Sequence, residues 1–195
     1  MTPVFAPRPT FGDLPPDPAT ADAVIALTAR GVVKGYQDGT FGPFAKTARA
    51  QMAAFIARAM GWDTENRGNP FPDRGEVDAD LWRNVGTIAA RGVARGYQDG
   101  TYGPLQPVLH VQVISFVTRA MIARQLWQPR PDEAALYPNV PASSGHREDL
   151  ATFAHYAGAI PDRPATAAWD DWDTPASRGW FARVLWQALE RTLTP

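Results

Sequence analysis

The densest cluster of chemically able side chains in this chain is Trp169-Asp-Asp171-Trp172-Asp173. Flat aromatic faces beside carboxylates suit a sugar ring, and tryptophan also dominates protein-binding hot spots. The same residues could instead fold a long loop back onto the core, so three readings stand open. Trp169, Asp171 and Trp172 are the candidate interaction platform. Three acids in five residues could hold calcium, but the glycine and distal glutamate of a calcium loop are missing, so no metal is expected. The three histidines, His110, His146 and His155, are scattered along the chain. No Gly-x-Ser-x-Gly, His-Glu-x-x-His or phosphate loop is present. Glu148-Asp149 sits at a predicted helix start, where acids favour the helix dipole in any case. The chain reads as non-catalytic, with no cofactor.

The bulk properties narrow the partners. The 195 residues carry 20% charged side chains and a formal net charge of −1, without the basic excess of a nucleic-acid or anionic-membrane binder. No apolar run approaches the roughly 18 residues of a membrane span. Neither nucleic acid nor membrane insertion is expected. There is no cysteine, hence no disulfide framework and no thiolate metal site. The stretch 1–18 is proline-rich without an apolar core, so it does not read as a secretory signal.

The elements that must position any site repeat along the chain. Residues 31–43 read Gly-Val-Val-Lys-Gly-Tyr-Gln-Asp-Gly-Thr-Phe-Gly-Pro, and residues 92–104 read Gly-Val-Ala-Arg-Gly-Tyr-Gln-Asp-Gly-Thr-Tyr-Gly-Pro. Duplication at such a spacing signals stacked units. Gly35, Tyr36, Asp38 and Gly39, with Gly96, Tyr97, Asp99 and Gly100, are read as loop-building residues: glycines for tight turns, aspartates for Asx-type bonds. Thr20 is expected to cap a first helix that ends near Gly31. A second helix is expected at about 48–60, with Met52, Phe55, Ile56, Ala59 and Met60 on one face. Val113, Phe116, Val117, Ala120 and Met121 repeat that phase, as do Phe181, Val184, Leu185, Ala188 and Leu189. The unit starts also match: Phe11-Gly-Asp13-Leu-Pro15, Phe71-Pro-Asp73 and Tyr137-Pro-Asn139-Val-Pro141. The expected organisation is a proline-rich tail at 1–10 and three helix–loop–helix units at 11–62, 71–127 and 137–193. The third unit lacks the Asp-Gly turn. Each unit is too small to bury its own apolar face, so the three would share one core.

The pattern Phe-x-Asp-Val-Pro, helix, Gly-Val-Val-x-Gly-Tyr-x-Asp-Gly-Thr-Phe-x-Pro, helix resembles the S-layer homology domain. The likeness covers the first unit almost entirely, the second through Pro104, and the third only in its ends and helix phase. It implies an all-α body of three helix–loop–helix units, packed as a pseudo-threefold bundle with three grooves between units. It further implies that the grooves bind anionic, often pyruvylated, secondary cell-wall polysaccharide, and so anchor proteins outside the cell at the wall or S-layer. The family's recognition motif, Thr-Arg-Ala-Glu, opens each second helix. Here those positions read Ala48-Arg49-Ala50-Gln51, Leu109-His110-Val111-Gln112 and Ser177-Arg178-Gly179-Trp180. The glycan-site candidates are therefore Arg49, Gln51, His110, Gln112, Arg178 and Trp180. A guanidinium fork near a helix N-terminus is a natural carboxylate site, whereas a histidine is mostly neutral at pH 7. Erosion of the motif in every copy leaves an alternative: the same fold used as a subunit or adaptor binding other proteins in a surface assembly or virion.

Overall fold

The computed structural model describes residues 11–63, 65–130, 136–164 and 166–193. The expected tail at 1–10 and part of the second connector lie outside them. Six helices follow one another: α1 (Pro18–Ala29), α2 (Arg49–Ala59), α3 (Ala79–Ala90), α4 (His110–Ala123), α5 (Arg147–Ala157) and α6 (Arg178–Leu193). The described residues form no strand beyond isolated bridges, so the fold is all-α. The cap of α1 is Asp17 rather than Thr20. Its carboxylate accepts from the Thr20 backbone N–H at 2.9 Å and from the Thr20 hydroxyl at 2.5 Å. Thr20 therefore sits in the first turn, behind the proline that opens the helix.

Helices α2, α4 and α6 form the centre. Met52, Phe55, Ile56, Met60, Val113, Phe116, Val117, Ala120, Met121, Phe181, Val184, Leu185, Ala188 and Leu189 are all buried in one core. Each inner helix packs on the first helix of the next pair: α2 on α3, α4 on α5, and α6 back on α1. The arrangement closes on itself.

A ring of backbone hydrogen bonds fixes that closure. The Thr47 N–H donates to the Ala176 carbonyl at 3.0 Å. Ala176 donates to Val108 at 2.9 Å, and Val108 donates back to Thr47 at 2.9 Å. Around the ring, the first two N–H groups of each inner helix donate into another pair's loop. Arg49 and Ala50 reach Gln106 and Pro104; His110 and Val111 reach Thr174 and Trp172; Arg178 and Gly179 reach Ala45 and Pro43. Helix N-termini leave such donors unsatisfied, and here a neighbouring pair supplies the acceptors.

The loops are pinned in the same way in all three pairs. Asp13 accepts from the Phe41 and Gly42 N–H groups at 2.7 and 2.8 Å. Asp73 accepts from Tyr102 and Gly103 at 2.9 and 2.8 Å. Asn139 exchanges two bonds with the Trp169 backbone, at 2.6 and 2.8 Å. The aromatic residue so held, Phe41, Tyr102 or Trp169, has no exposed surface. Replacing Asp73 with Ala would leave two N–H groups unsatisfied. The expected loss is about 2–3 kcal/mol of stability, measured as a lower urea midpoint in a single transition.

Candidate functional site

Arg49, the first residue of α2, enters the loop of the second pair. Its side chain is 3% exposed. Nε donates to the Tyr102 carbonyl at 2.8 Å, and Nη1 to Gln112 Oε1 at 3.4 Å. The guanidinium lies 4.8 Å from the Tyr97 ring centre and 4.6 Å from that of Tyr102, with Phe116 beyond. The aromatic faces replace part of the lost hydration by cation–π attraction. Nη2 has no hydrogen-bond partner among the described residues. The side chain forms one wall of a cavity of about 170 Å³.

Arg178 repeats this placement in the loop of the first pair. Nε donates to the Phe41 carbonyl at 2.9 Å and Nη2 to the Lys34 carbonyl at 3.0 Å. The Tyr36 and Phe41 ring centres each lie 4.8 Å away. His110 takes the corresponding place in the third pair. Its Nδ1 lies 3.0 Å from the Asp171 carbonyl and 3.2 Å from Thr174 Oγ1. The Trp180 ring stands edge-on at 4.4 Å. Burial pushes the His110 pKa down, and the Asp171 contacts do not restore it. The three positions therefore reach three separate loops, and only two of them bring a permanent cation.

The remaining motif residues divide the capping work. Gln51 Oε1 accepts from the Ala48 N–H at 3.3 Å, and Gln112 Oε1 from the Leu109 N–H at 3.2 Å. Ser177 Oγ instead accepts from the Trp180 N–H at 3.2 Å. Each inner helix thus keeps half of a capping box. Asp38 and Asp99 bond Thr40 and Thr101 within their own turns, and those bonds hold both carboxyls below the usual range. Gly35 and Gly96 pass so close to Phe11 and Phe71, and to the Thr40 and Thr101 carbonyls, that any side chain there would collide. Gly39 and Gly100 take positive φ, as their turns require.

Of the candidate platform, Trp169 is fully buried, whereas Asp171 and Trp172 are half-buried. Arg163 clamps Asp171 with two bonds, at 3.1 and 2.6 Å. Burial pushes the Asp171 carboxyl up, but the hydrogen bond and charge of Arg163 outweigh it and leave the group lowered. In front of Trp180 lies a cavity of about 440 Å³ that also meets Phe44, Asp17, Asp162 and Arg183. Arg183 is paired there with Asp162 at 2.8 Å and Asp17 at 3.4 Å. Its walls are partly aromatic, and the arginine there faces two carboxylates.

Motif reasoning missed the basic residues around Arg49. Arg95, Arg119 and His146 line the same cavity. Arg119 pairs with Asp149 at 2.7 Å. His146 Nδ1 meets Ser115 Oγ at 2.7 Å. Burial and the Arg119 charge lower its pKa against the pull of Asp149. A signal existed: Lys34 and Arg95, and likewise Arg58 and Arg119, are basic residues at matching offsets in the first two units. The groove so assembled can hold an anion by side-chain charge. The N–H groups that open α2 cannot take part, since Gln106 and Pro104 already accept from them.

Residues 10–53 and 70–110 match the S-layer homology domain family. The chain is 30% identical over 133 residues to a cell surface protein of Thermoanaerobacter kivui, covering 64% of this chain and 17% of that protein. It is 27% identical over 111 residues to cell surface glycoprotein 1 of Acetivibrio thermocellus, covering 53% of this chain and 5% of the relative. A surface layer protein of Brevibacillus choshinensis is 25% identical over 138 residues, covering 69% of this chain and 12% of the relative. The chain therefore spans a small part of each of these proteins.

The two lowered imidazoles set a pH dependence. Unfolded histidines protonate near the ordinary value of 6.5, whereas folded His110 and His146 resist the proton. Their contribution is complete above that value and declines as the pH falls below it, until the folded imidazoles themselves titrate. Thermal melts should give a lower midpoint at about pH 5.5 than at about pH 7.5, and His110→Gln should reduce the difference.

Proposed function

We propose that this chain attaches a protein to the outside of the cell by holding an anionic, pyruvylated cell-wall polysaccharide in the groove on Arg49. The chain works extracellularly, at the wall, and carries out no reaction. One observation carries the reading. The Arg49 guanidinium is oriented by the Tyr102 carbonyl and by two tyrosine rings at the wall of a cavity shared with Arg95 and Arg119. A pre-oriented cation in a partly desolvated groove suits a ketal carboxylate. Tyr97, 38% exposed, offers an aromatic face beside it. Arg178, over Tyr36 and Phe41, is a second such site. The site on His110 is neutral and screened by Trp180, so it contributes no anion binding.

The matched segments cover most of the first unit and most of the second. We read the third helix pair, residues 137–193, as a worn copy. The equivalent roles of Asp13, Asp73 and Asn139 support that reading. A protein-binding role is favoured by a different observation. Phe44 and Leu105, at matching offsets, are 77% and 70% exposed.

Immobilised, purified pyruvylated wall polysaccharide should retain the native chain. Arg49→Lys keeps the charge but loses the planar fork, and should bind about tenfold more weakly with an unchanged helical spectrum. A native chain that is not retained, yet co-purifies as a defined complex with another surface protein, would replace this reading by the protein-binding one.

A further inference from the structure

Resting on the Arg49 reading, we propose that the groove continues into a second cationic subsite and that its ligand presents two anionic groups at once. The cavity at Arg49, about 170 Å³, has a neighbour of about 400 Å³. Arg95 and Arg119 line both. Together the two form one trough, with Arg49 and Gln112 at one end and Arg91 and Pro129 at the other.

The basic residues along this trough are not equivalent. Arg91 pairs with Glu65 and lies over the Trp62 ring at 4.7 Å, so it is anchored and largely neutralised. Arg119 pairs with Asp149 at 2.7 Å and donates to the Gly145 carbonyl at 3.3 Å. Arg95 stands between the two cavities, exposed, with neither a hydrogen bond nor an ion pair among the described residues. It is the one basic residue of the four whose charge meets no protein group there. Glu148 lines the far cavity and gives that end mixed charge. A single carboxylate at Arg49 would leave the Arg95 charge unmatched. A polymer with an anionic group on successive units would place its second group against Arg95 and Arg119. Arg95 is then a specificity-determining residue that distinguishes a polyanionic chain from a singly charged sugar. Two linked contacts raise affinity through effective concentration even if neither is strong alone.

The test uses fragments of pyruvylated wall polysaccharide, separated into those with one ketal and those with two or more, and titrated calorimetrically into the full chain. The native chain should bind the multiply charged fragments at least about tenfold more tightly than the singly charged ones. Arg95→Gln should shrink that ratio to about twofold or less, weakening the multiply charged fragments more than the singly charged ones. Arg49→Lys should weaken both classes. Equal affinity of the native chain for both classes overturns the second subsite and leaves the Arg49 reading intact. So does an Arg95→Gln chain that weakens both classes equally, or neither. No binding of either class by the native chain overturns both proposals. The Arg95 side chain makes no hydrogen bond or ion pair among the described residues, so the variant's melting midpoint should match the native one and exclude a folding artefact.

Discussion

The structure depends on three carbonyl–amide hydrogen bonds that run in a circle through Thr47, Ala176 and Val108. Each inner helix begins two residues beyond that circle. Its first N–H groups are therefore consumed by a neighbouring pair, and its first side chain is delivered into that neighbour's loop. Arg49, His110 and Arg178 are positioned by this exchange rather than by their own loops. A single pair would contain an arginine and a tyrosine loop, but it could not bring them together. The exchange also decides how an anion can be held. With the helix-end donors already occupied, the proposed recognition rests on guanidinium groups and the rings that orient them.

Much of the architecture was legible because the helix phase and the loop sequence recur at a fixed offset. Met52, Phe55 and Ile56 announced the core face, and their counterparts in α4 and α6 announced the shared interior. What periodicity could not show is who touches whom. Arg49 bonds Tyr102, 53 positions away, and Gln112, 63 positions away. Those partners follow from closure of the ring, which no local pattern encodes. The cap of α1 was misplaced by three residues because threonine and aspartate are both good caps, and only the structure shows which carboxylate faces the helix end. For Trp169 the sequence leaves a sugar platform, a protein anchor and a loop folded onto the core equally open, and its full burial selects the last. The longer third loop concealed that it stands where Phe41 and Tyr102 stand, clamped by Asn139.

The three equivalent positions have diverged in chemistry while keeping their geometry. Two carry a guanidinium between aromatic rings. The third carries a lowered imidazole against an indole. The capping glutamine that contacts Arg49 at one site is replaced by Trp180 at the other. One substitution removes a polar acceptor, the other removes a permanent charge, and together they replace a cationic groove by an aromatic wall. The backbone exchange around the ring is unaffected, since His110 and Val111 still donate to Thr174 and Trp172. Fold and the proposed recognition are thus separable here: the main chain maintains the first, and the second rests on a few side chains at one position.

The closure of the ring has a mechanical consequence. The groove on Arg49 has one wall from α2 and the other from the second pair's loop and α4. A polymer held there bridges two pairs, so tension along it acts across their junction. Between those pairs the junction includes the bonds from Arg49, Ala50 and Val108, which must all give way before the pairs can part. Through the remaining two junctions, the same load is also carried by the third pair. A closed body of this kind has no weak outer unit that can peel away first. The third pair, whatever it binds, is then a strut that keeps the other two from separating under load.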